Sequence, residues 1–267
     1  MSVDKAFSAW NEAIAKAIGA VGTAEFAHRL EAALGSIVDF DILMVFAYSG
    51  SEKPVCLYHN IDSRRARTVV DAYVSGPYIL DPFYNTATDP QATGVKRLRD
   101  MAPDQFHKSE YFRRHYKLTG IRDEVGIICR PDGWTGVVIS FTRPVAAPAF
   151  GRQDIAAIRA SQPVIQTLAD RHWRRNAAIA TPAGWDAEVA RDPIGEPLTR
   201  MTDGILTPRE IEITSLVLQG HSSGSIARHL AIAPGTVKNH RKNIYHKLDV
   251  SSQSELFAMF IQQLSGQ

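Results

Sequence analysis

Between Leu206 and Val250 the chain marks the starts and stops of three short helices, and this stretch constrains its fold more than any other. Thr207-Pro208-Arg209-Glu210 joins an N-cap hydroxyl, a proline at the first helical position and a glutamate three residues after the cap, the pattern of a capping box. Ile213, Leu216 and Val217 face inward from that helix, and Gly220 suits its end. Ser222 or Ser223 opens a second, shorter helix with Ile226, Ala227 and Leu230 on one face. Ala231-Ile232-Ala233 then turns tightly before Pro234 starts the third. With residues set at 100° steps, Val237, Ile244 and Leu248 fall on one stripe of the third helix. Lys238, Asn239, Lys242 and His246 fall roughly opposite, with no acid among them. A short helix, a three-residue turn and a helix that is apolar on one side and cationic on the other describe a helix-turn-helix at about residues 223–242. Its reading helix would enter the major groove, where Lys donates to guanine and Asn pairs with adenine.

That unit is too small to account for 267 residues, so two domains are expected. A hydrophobic content of 45% suffices for packed interiors, and no apolar run reaches the roughly 18 residues of a membrane span. The start, MSVDKAFSAW, lacks the basic and apolar regions of a signal peptide. Cys56 and Cys129 sit in strand-like segments without metal-ligand spacing, as expected for reduced thiols in a cytoplasmic protein. The formal net charge is only +2, and the surplus lies in the last sixty or so residues, so positive charge is local.

The first 177 residues read as an α+β sensor domain, an antiparallel sheet flanked by helices in the PAS or GAF manner. Phe7, Trp10, Ile14 and Ile18, then Phe26, Leu30, Ala33 and Leu34, recur at helical steps. Residues 40–48 and 54–58 are strand-like, and 124–130 with 134–143 form a hairpin around Pro131-Asp132-Gly133. The stretch 63–117 reads as mostly helical. A closing helix spans about 153–173, where Pro163 should kink or split it. Residues 178–204 lose periodicity and read as a linker, with Trp185 and Val189 as docking side chains, before a DNA-binding domain at 205–267.

The run from Leu206 to Val250 resembles the LuxR-type four-helix DNA-binding domain through Leu206-Thr207-Pro208-Arg209-Glu210, Gly220, Ile226-Ala227, Leu230, Thr236-Val237-Lys238, His240 and Lys247-Leu248. The resemblance implies a transcriptional regulator that binds double-stranded DNA as a homodimer, with Lys238, Asn239 and Lys242 at base-facing positions. Thr236, His240 and Arg241 would steady the phosphate backbone. A last helix, about 252–264, would carry the dimer seam through Leu256, Phe260 and Leu264. Ala233 stands where the family usually has a serine cap, Gly224-Ser225 where Lys-Glu is frequent, and Gln253 where arginine is frequent.

The ring-rich stretch 71–87 resembles the Tyr…Asp-Pro segment of acyl-homoserine-lactone sensors in the same family, without their preceding tryptophan. Tyr73, Tyr78, Asp81 and Phe83, with Tyr58 and Trp134, are the candidate ligand-binding residues for a small effector, the rings supplying apolar contact and the carboxylate orienting an amide or amine. In the plainer alternative the rings are core and Asp81 caps a helix starting at Pro82. The first domain could equally be a protein-interaction module without a ligand. The nine histidines form no ligand pairs, and no GxSxG, HExxH or Gly-rich dinucleotide loop occurs. Neither enzyme chemistry, a cofactor, a metal nor a membrane is expected.

Overall fold

The computed structural model describes residues 3–50, 52–174 and 192–265. The chain divides into two compact units: residues 1–66, 85–101 and 120–186 form one, and 67–84, 102–119 and 187–267 the other.

The first unit is built on five antiparallel strands: β1 (Ile42–Tyr48), β2 (Val55–His59), β3 (Gly94–Arg97), β4 (Ile121–Cys129) and β5 (Gly136–Pro144), in the order β2-β1-β5-β4-β3. The register explains why these segments pair. Val45 lies opposite Ile139 and Ile139 opposite Ile127; Leu43, Phe141 and Val125 form the next row, and Ala47, Val137 and Cys129 another. Because successive side chains alternate between faces, these rows form one apolar surface. On it pack Ile14 and Ala17 of α1 (Val3–Gly19), Leu30 and Leu34 of α2 (Phe26–Gly35), and Ile158, Ile165 and Trp173 of α3 (Arg152–Trp173). Phe7 and Ile18, expected on the inner stripe of α1, are exposed instead, and Ala17 takes the core position. The β4–β5 connection is held by Asp132, whose carboxylate accepts the amides of Trp134 and Thr135 at 2.9 and 2.7 Å, with Gly133 at φ +87°.

One local expectation fails here and another is narrowed. Gly94–Arg97, placed in a helical middle, is an edge strand paired with β4. Four residues with one strong apolar side chain give no periodic signal, and the partner strand supplies the conformation. Pro163 does not split the closing helix, which runs on from Arg152 to Trp173. It lies on the exposed side, where solvent can reach the carbonyl that its missing N–H leaves free.

The second unit contains α4 (Gly195–Thr202), α5 (Pro208–Gln219), α6 (Ser223–His229), α7 (Pro234–Lys247) and α8 (Gln253–Ser265), with short helical turns from 67–84 and 102–119. α4 corrects the linker expectation: Asp192 accepts the amides of Ile194 and Gly195, and Pro197 and Leu198 are buried where α4 packs on α5 and α8. Eight residues with one leucine are too short a pattern to show this in the sequence. The remainder of that stretch, with Trp185 and Val189, lies outside the described residues. Thr207 caps α5 in the expected box with Glu210, and Gly220 ends it at φ +99°. Ser222 caps α6, and α7 starts at Pro234 with no side-chain cap from Ala233. α8 corrects the seam expectation: Leu256 and Phe260 are 1% and 0% exposed, so both are core residues of this unit. An antiparallel α+β sheet unit and a C-terminal helix-turn-helix together match the expected fold class. No helix among the described residues is long and apolar enough to cross a membrane.

Candidate nucleic-acid interface

α7 is anchored from below. Val237 and Ile244 are buried, and Leu248 follows them at the end of the helix. On the outer side Thr236, Lys238, Asn239 and Lys242 are exposed, while His240 and Arg241 are half-buried. The three base-facing candidates therefore form an open cationic and amide stripe, joined by Asn243, which sequence reasoning passed over and which is exposed one residue on. Arg241 is partly engaged: its guanidinium donates to Ser223 Oγ at 3.4 Å and to the Tyr245 hydroxyl at 3.2 Å. Its orientation toward the start of α6 is thus set within the protein. Lys247, part of the same basic run, donates to Glu210 at 2.7 Å and ties the end of α7 to the start of α5. Arg209 donates to the Leu230 carbonyl at 2.9 Å and fixes α5 against the turn.

The turn itself carries strain. Ala231 holds φ +52°, a left-handed conformation that costs a residue with a Cβ about 1 kcal/mol. Ala231→Gly is therefore expected to raise stability by about 0.5–1 kcal/mol, since relief of strain exceeds the extra chain entropy. Urea denaturation of the full chain measures this, and a lower midpoint would count against the strain.

A second cluster gathers in the same unit. Asp81 is buried; its carboxylate accepts the Phe83 amide at 2.8 Å and the Tyr73 hydroxyl at 2.9 Å. The Tyr73 ring lies 6.3 Å from Tyr78 and 5.3 Å from His115, Tyr78 lies 5.1 Å from Tyr84, and His115 stacks on Tyr111 at 5.4 Å. The structure thus brings Tyr73, Tyr78, Asp81 and Phe83 together, adds Tyr111 and His115, and makes Asp81 a backbone cap as well. Tyr58 and Trp134 belong to the sheet unit: Tyr58 donates to Glu31 from β2, and Trp134 is 48% exposed at the β4–β5 turn.

Burial pushes the Asp81 carboxyl up to about 6, against the opposing pull of the Phe83 amide and the Tyr73 and Tyr111 hydroxyls; burial also lowers His115 to about 4. An acid whose folded-state value exceeds its unfolded 3.8 holds its proton more tightly when folded, so stability falls as pH rises through that interval. Asp81→Asn keeps an acceptor for Phe83 and removes the titration. Between pH 5 and 7.5 the variant should gain about 1 kcal/mol relative to the parent. Melting curves at the two pH values test this; a difference that does not change with pH rejects the buried-acid account.

No group of three or more His, Cys, Asp or Glu side chains among the described residues could hold a metal. Burial raises the Cys129 thiol, which suits a core thiol rather than a nucleophile.

The helical stretch matches the family model described as bacterial regulatory proteins, luxR family, over residues 204–260. A protein of Aeromonas salmonicida named as an HTH-type transcriptional regulator in the exeN 3' region is 28% identical over 186 residues, covering 69% of this chain and 94% of its own length. The monoamine regulon transcriptional regulator of Klebsiella aerogenes is 46% identical over 52 residues, 20% of this chain and 23% of its own. The crystal structure of the VqsR LBD domain from Pseudomonas aeruginosa superimposes with a TM-score of 0.55 at 23% identity, covering 63% of this chain and 99% of that one, a likeness of fold. With its capped lead helix, short second helix and outward-facing cationic third helix, the stretch 204–260 is a helix-turn-helix domain of the luxR family of bacterial regulatory proteins.

Proposed function

We propose that the chain acts in the cytoplasm as a homodimer on double-stranded DNA, with Lys238, Asn239 and Lys242 touching base edges in the major groove. Thr236, His240 and Arg241 contact phosphates. One observation carries the reading: the outer stripe of α7 is exposed, cationic and free of acids, while Val237 and Ile244 lock its other side into the core. A rod already fixed by its core contacts incurs no backbone ordering cost on docking, which suits base readout. The effector side of the proposal rests on the ring cluster. Tyr73, Tyr78 and Phe83 offer apolar walls, and a ligand amine or amide can replace a tyrosine hydroxyl on Asp81. A ligand that prefers one arrangement of the protein shifts its population, and DNA affinity with it.

The test begins with selection of a preferred duplex from a random pool. Arg241→Ala should weaken binding to the selected and to unrelated duplexes alike and lower the salt slope by about 1, as one lost phosphate contact requires. An unchanged slope removes Arg241 from the backbone contacts. The effector part is tested by thermal shift of the full chain against amines, amides and acyl lactones. A binder must raise the melting temperature, and Asp81→Asn must diminish that rise. A panel in which no compound raises it favours the protein-interaction reading of the first domain.

A further inference from the structure

The exposed side of α7 is divided into two rows. At about 100° per residue, Lys238 and Lys242 lie about 40° apart and so do Asn239 and Asn243, with about 100° between the centres of the two rows. All four residues are exposed, and none of their side chains makes a hydrogen bond or ion pair with a described residue. Their basic neighbours differ: Arg241 donates to Ser223 and Tyr245, and Lys247 donates to Glu210. The chemistry of the open face therefore changes across the helix, ammonium on one flank and amide on the other, and stays constant along it.

Gly235 lies midway between the rows, in the first turn of α7. Glycine weakens a helix relative to alanine, and neither backbone conformation nor packing calls for one here. Its φ is not in the left-handed region, and a Cβ would stand in open space, with nothing within 4 Å. A missing side chain on the centre line of the outward face does serve close approach of the backbone to another molecule. Gly235 thus marks the direction in which α7 is aimed, and the two rows flank it.

Resting on the DNA-reading assignment above, we propose that α7 reads the two strands with different chemistry: Lys238 and Lys242 take guanines on one strand, and Asn239 and Asn243 take adenines on the complementary strand. The major groove is about 12 Å wide and a helix with its side chains about 10–12 Å across, so the helix fills the groove. Its two flanks then lean toward bases of opposite strands. Four residues rise about 6 Å, close to two base pairs at about 3.4 Å each, so the members of one row meet bases about two pairs apart. Read along the guanine strand, guanine and thymine interleave over about four base pairs, because each adenine opposite appears there as thymine. Lysine donates to guanine O6 and N7, whereas an asparagine amide both donates and accepts and so matches adenine N6 and N7. Gly235 lets the first turn sit close to the base edges between the rows.

The experiment selects duplexes from a random pool with the full chain, then measures affinity for the selected duplex and its single-base variants at fixed salt. The selected half-site should place guanines on one strand and adenines on the other. Asn243→Ala should reduce discrimination about tenfold at one A·T pair and leave the G·C pairs unchanged, and Lys238→Ala should do the converse. Melting curves of both variants should match the parent, since neither side chain is buried. Gly235→Leu should weaken binding through a clash at the base edges without lowering the melting temperature, because leucine favours a helix over glycine. Undiminished affinity in that variant overturns the close approach. Guanines and adenines selected on one strand overturn the strand assignment, as does an Asn243→Ala variant that discriminates as the parent does. A Lys238→Ala variant that weakens all duplexes alike and lowers the salt slope by about 1 places that row on phosphates and overturns it too. If the full chain prefers no duplex at all, base reading by α7 itself falls, an outcome distinct from a preferred duplex of the wrong strand composition.

Discussion

Replacing Lys242 and Asn239 together by alanine is expected to lower affinity for the selected duplex by about two orders of magnitude and to flatten preference among base substitutions. A good contact from either residue type to a base edge contributes about 1–3 kcal/mol of discrimination, and the two sit three residues apart on one exposed stripe. Folding should hardly respond, since neither side chain is buried and exposed substitutions of this kind stay within about 0.5 kcal/mol. The pair therefore separates recognition from stability, unlike substitutions at Val237 or Ile244, which would remove the support of the helix itself. Fluorescence anisotropy at one fixed salt concentration, with melting curves alongside, measures both. Undiminished discrimination between the selected duplex and its single-base variants would remove α7 from the role of reader.

The second large effect is expected at Glu210→Ala, at a cost of about 3 kcal/mol in unfolding free energy. Glu210 is 4% exposed and does three jobs at once: its carboxylate accepts the Thr207 amide at 2.9 Å, the Thr207 hydroxyl at 3.0 Å and Lys247 Nζ at 2.7 Å. Alanine removes half of the capping box and leaves Lys247 without its partner, so α5 loses its start and α7 its tether. Burial opposes ionisation of Glu210, but Lys247 and Thr207 outweigh it and hold the carboxyl below its usual range. An acid lowered on folding contributes stability above its unfolded value of 4.5, and that contribution is lost as pH falls through the folded value. The gap between parent and variant should be full at pH 7 and shrink in acid below about pH 4. Urea denaturation at several pH values reads it; a pH-independent gap would assign the cost to packing instead. Reduced DNA affinity should accompany the loss, because Lys247 fixes the end of the reading helix.

The helical domain was readable because its signals are local. Thr207, Pro208 and Glu210 determine where α5 begins through bonds within one turn, and Pro234 does the same for α7. The outward direction of Lys238, Asn239 and Lys242 follows from helical geometry once Val237 and Ile244 are placed inside. The β4–β5 hairpin was legible for a similar reason, since its turn residues and β-branched runs lie close in sequence. β3 and α4 were not, because each is too short to show a period and is held by partners elsewhere in the chain.

At several positions the residue type was clear and its use was not. Lys247 belongs by composition to the basic run, yet its ammonium is taken by Glu210 from 37 residues away. Leu256 and Phe260 form a plausible seam on a helical wheel, which cannot distinguish a face that meets another molecule from one that meets its own core; packing on the neighbouring helices decides for the core. Tyr111 and His115 carried no periodic or spacing signal that would join them to Tyr73 and Asp81, because the cluster is assembled across roughly thirty to forty residues. The sequence by itself determined where the C-terminal helices start and stop and which side of α7 stays wet, since caps and periodicity act over one or two turns. Tertiary structure alone decided which charges are spent, which apolar stripe of α8 is covered and how closely Phe106 approaches Gly220, because those depend on bringing together residues that lie from 37 positions apart, as Lys247 and Glu210 do, to 144 apart, as Glu110 and Ser254 do.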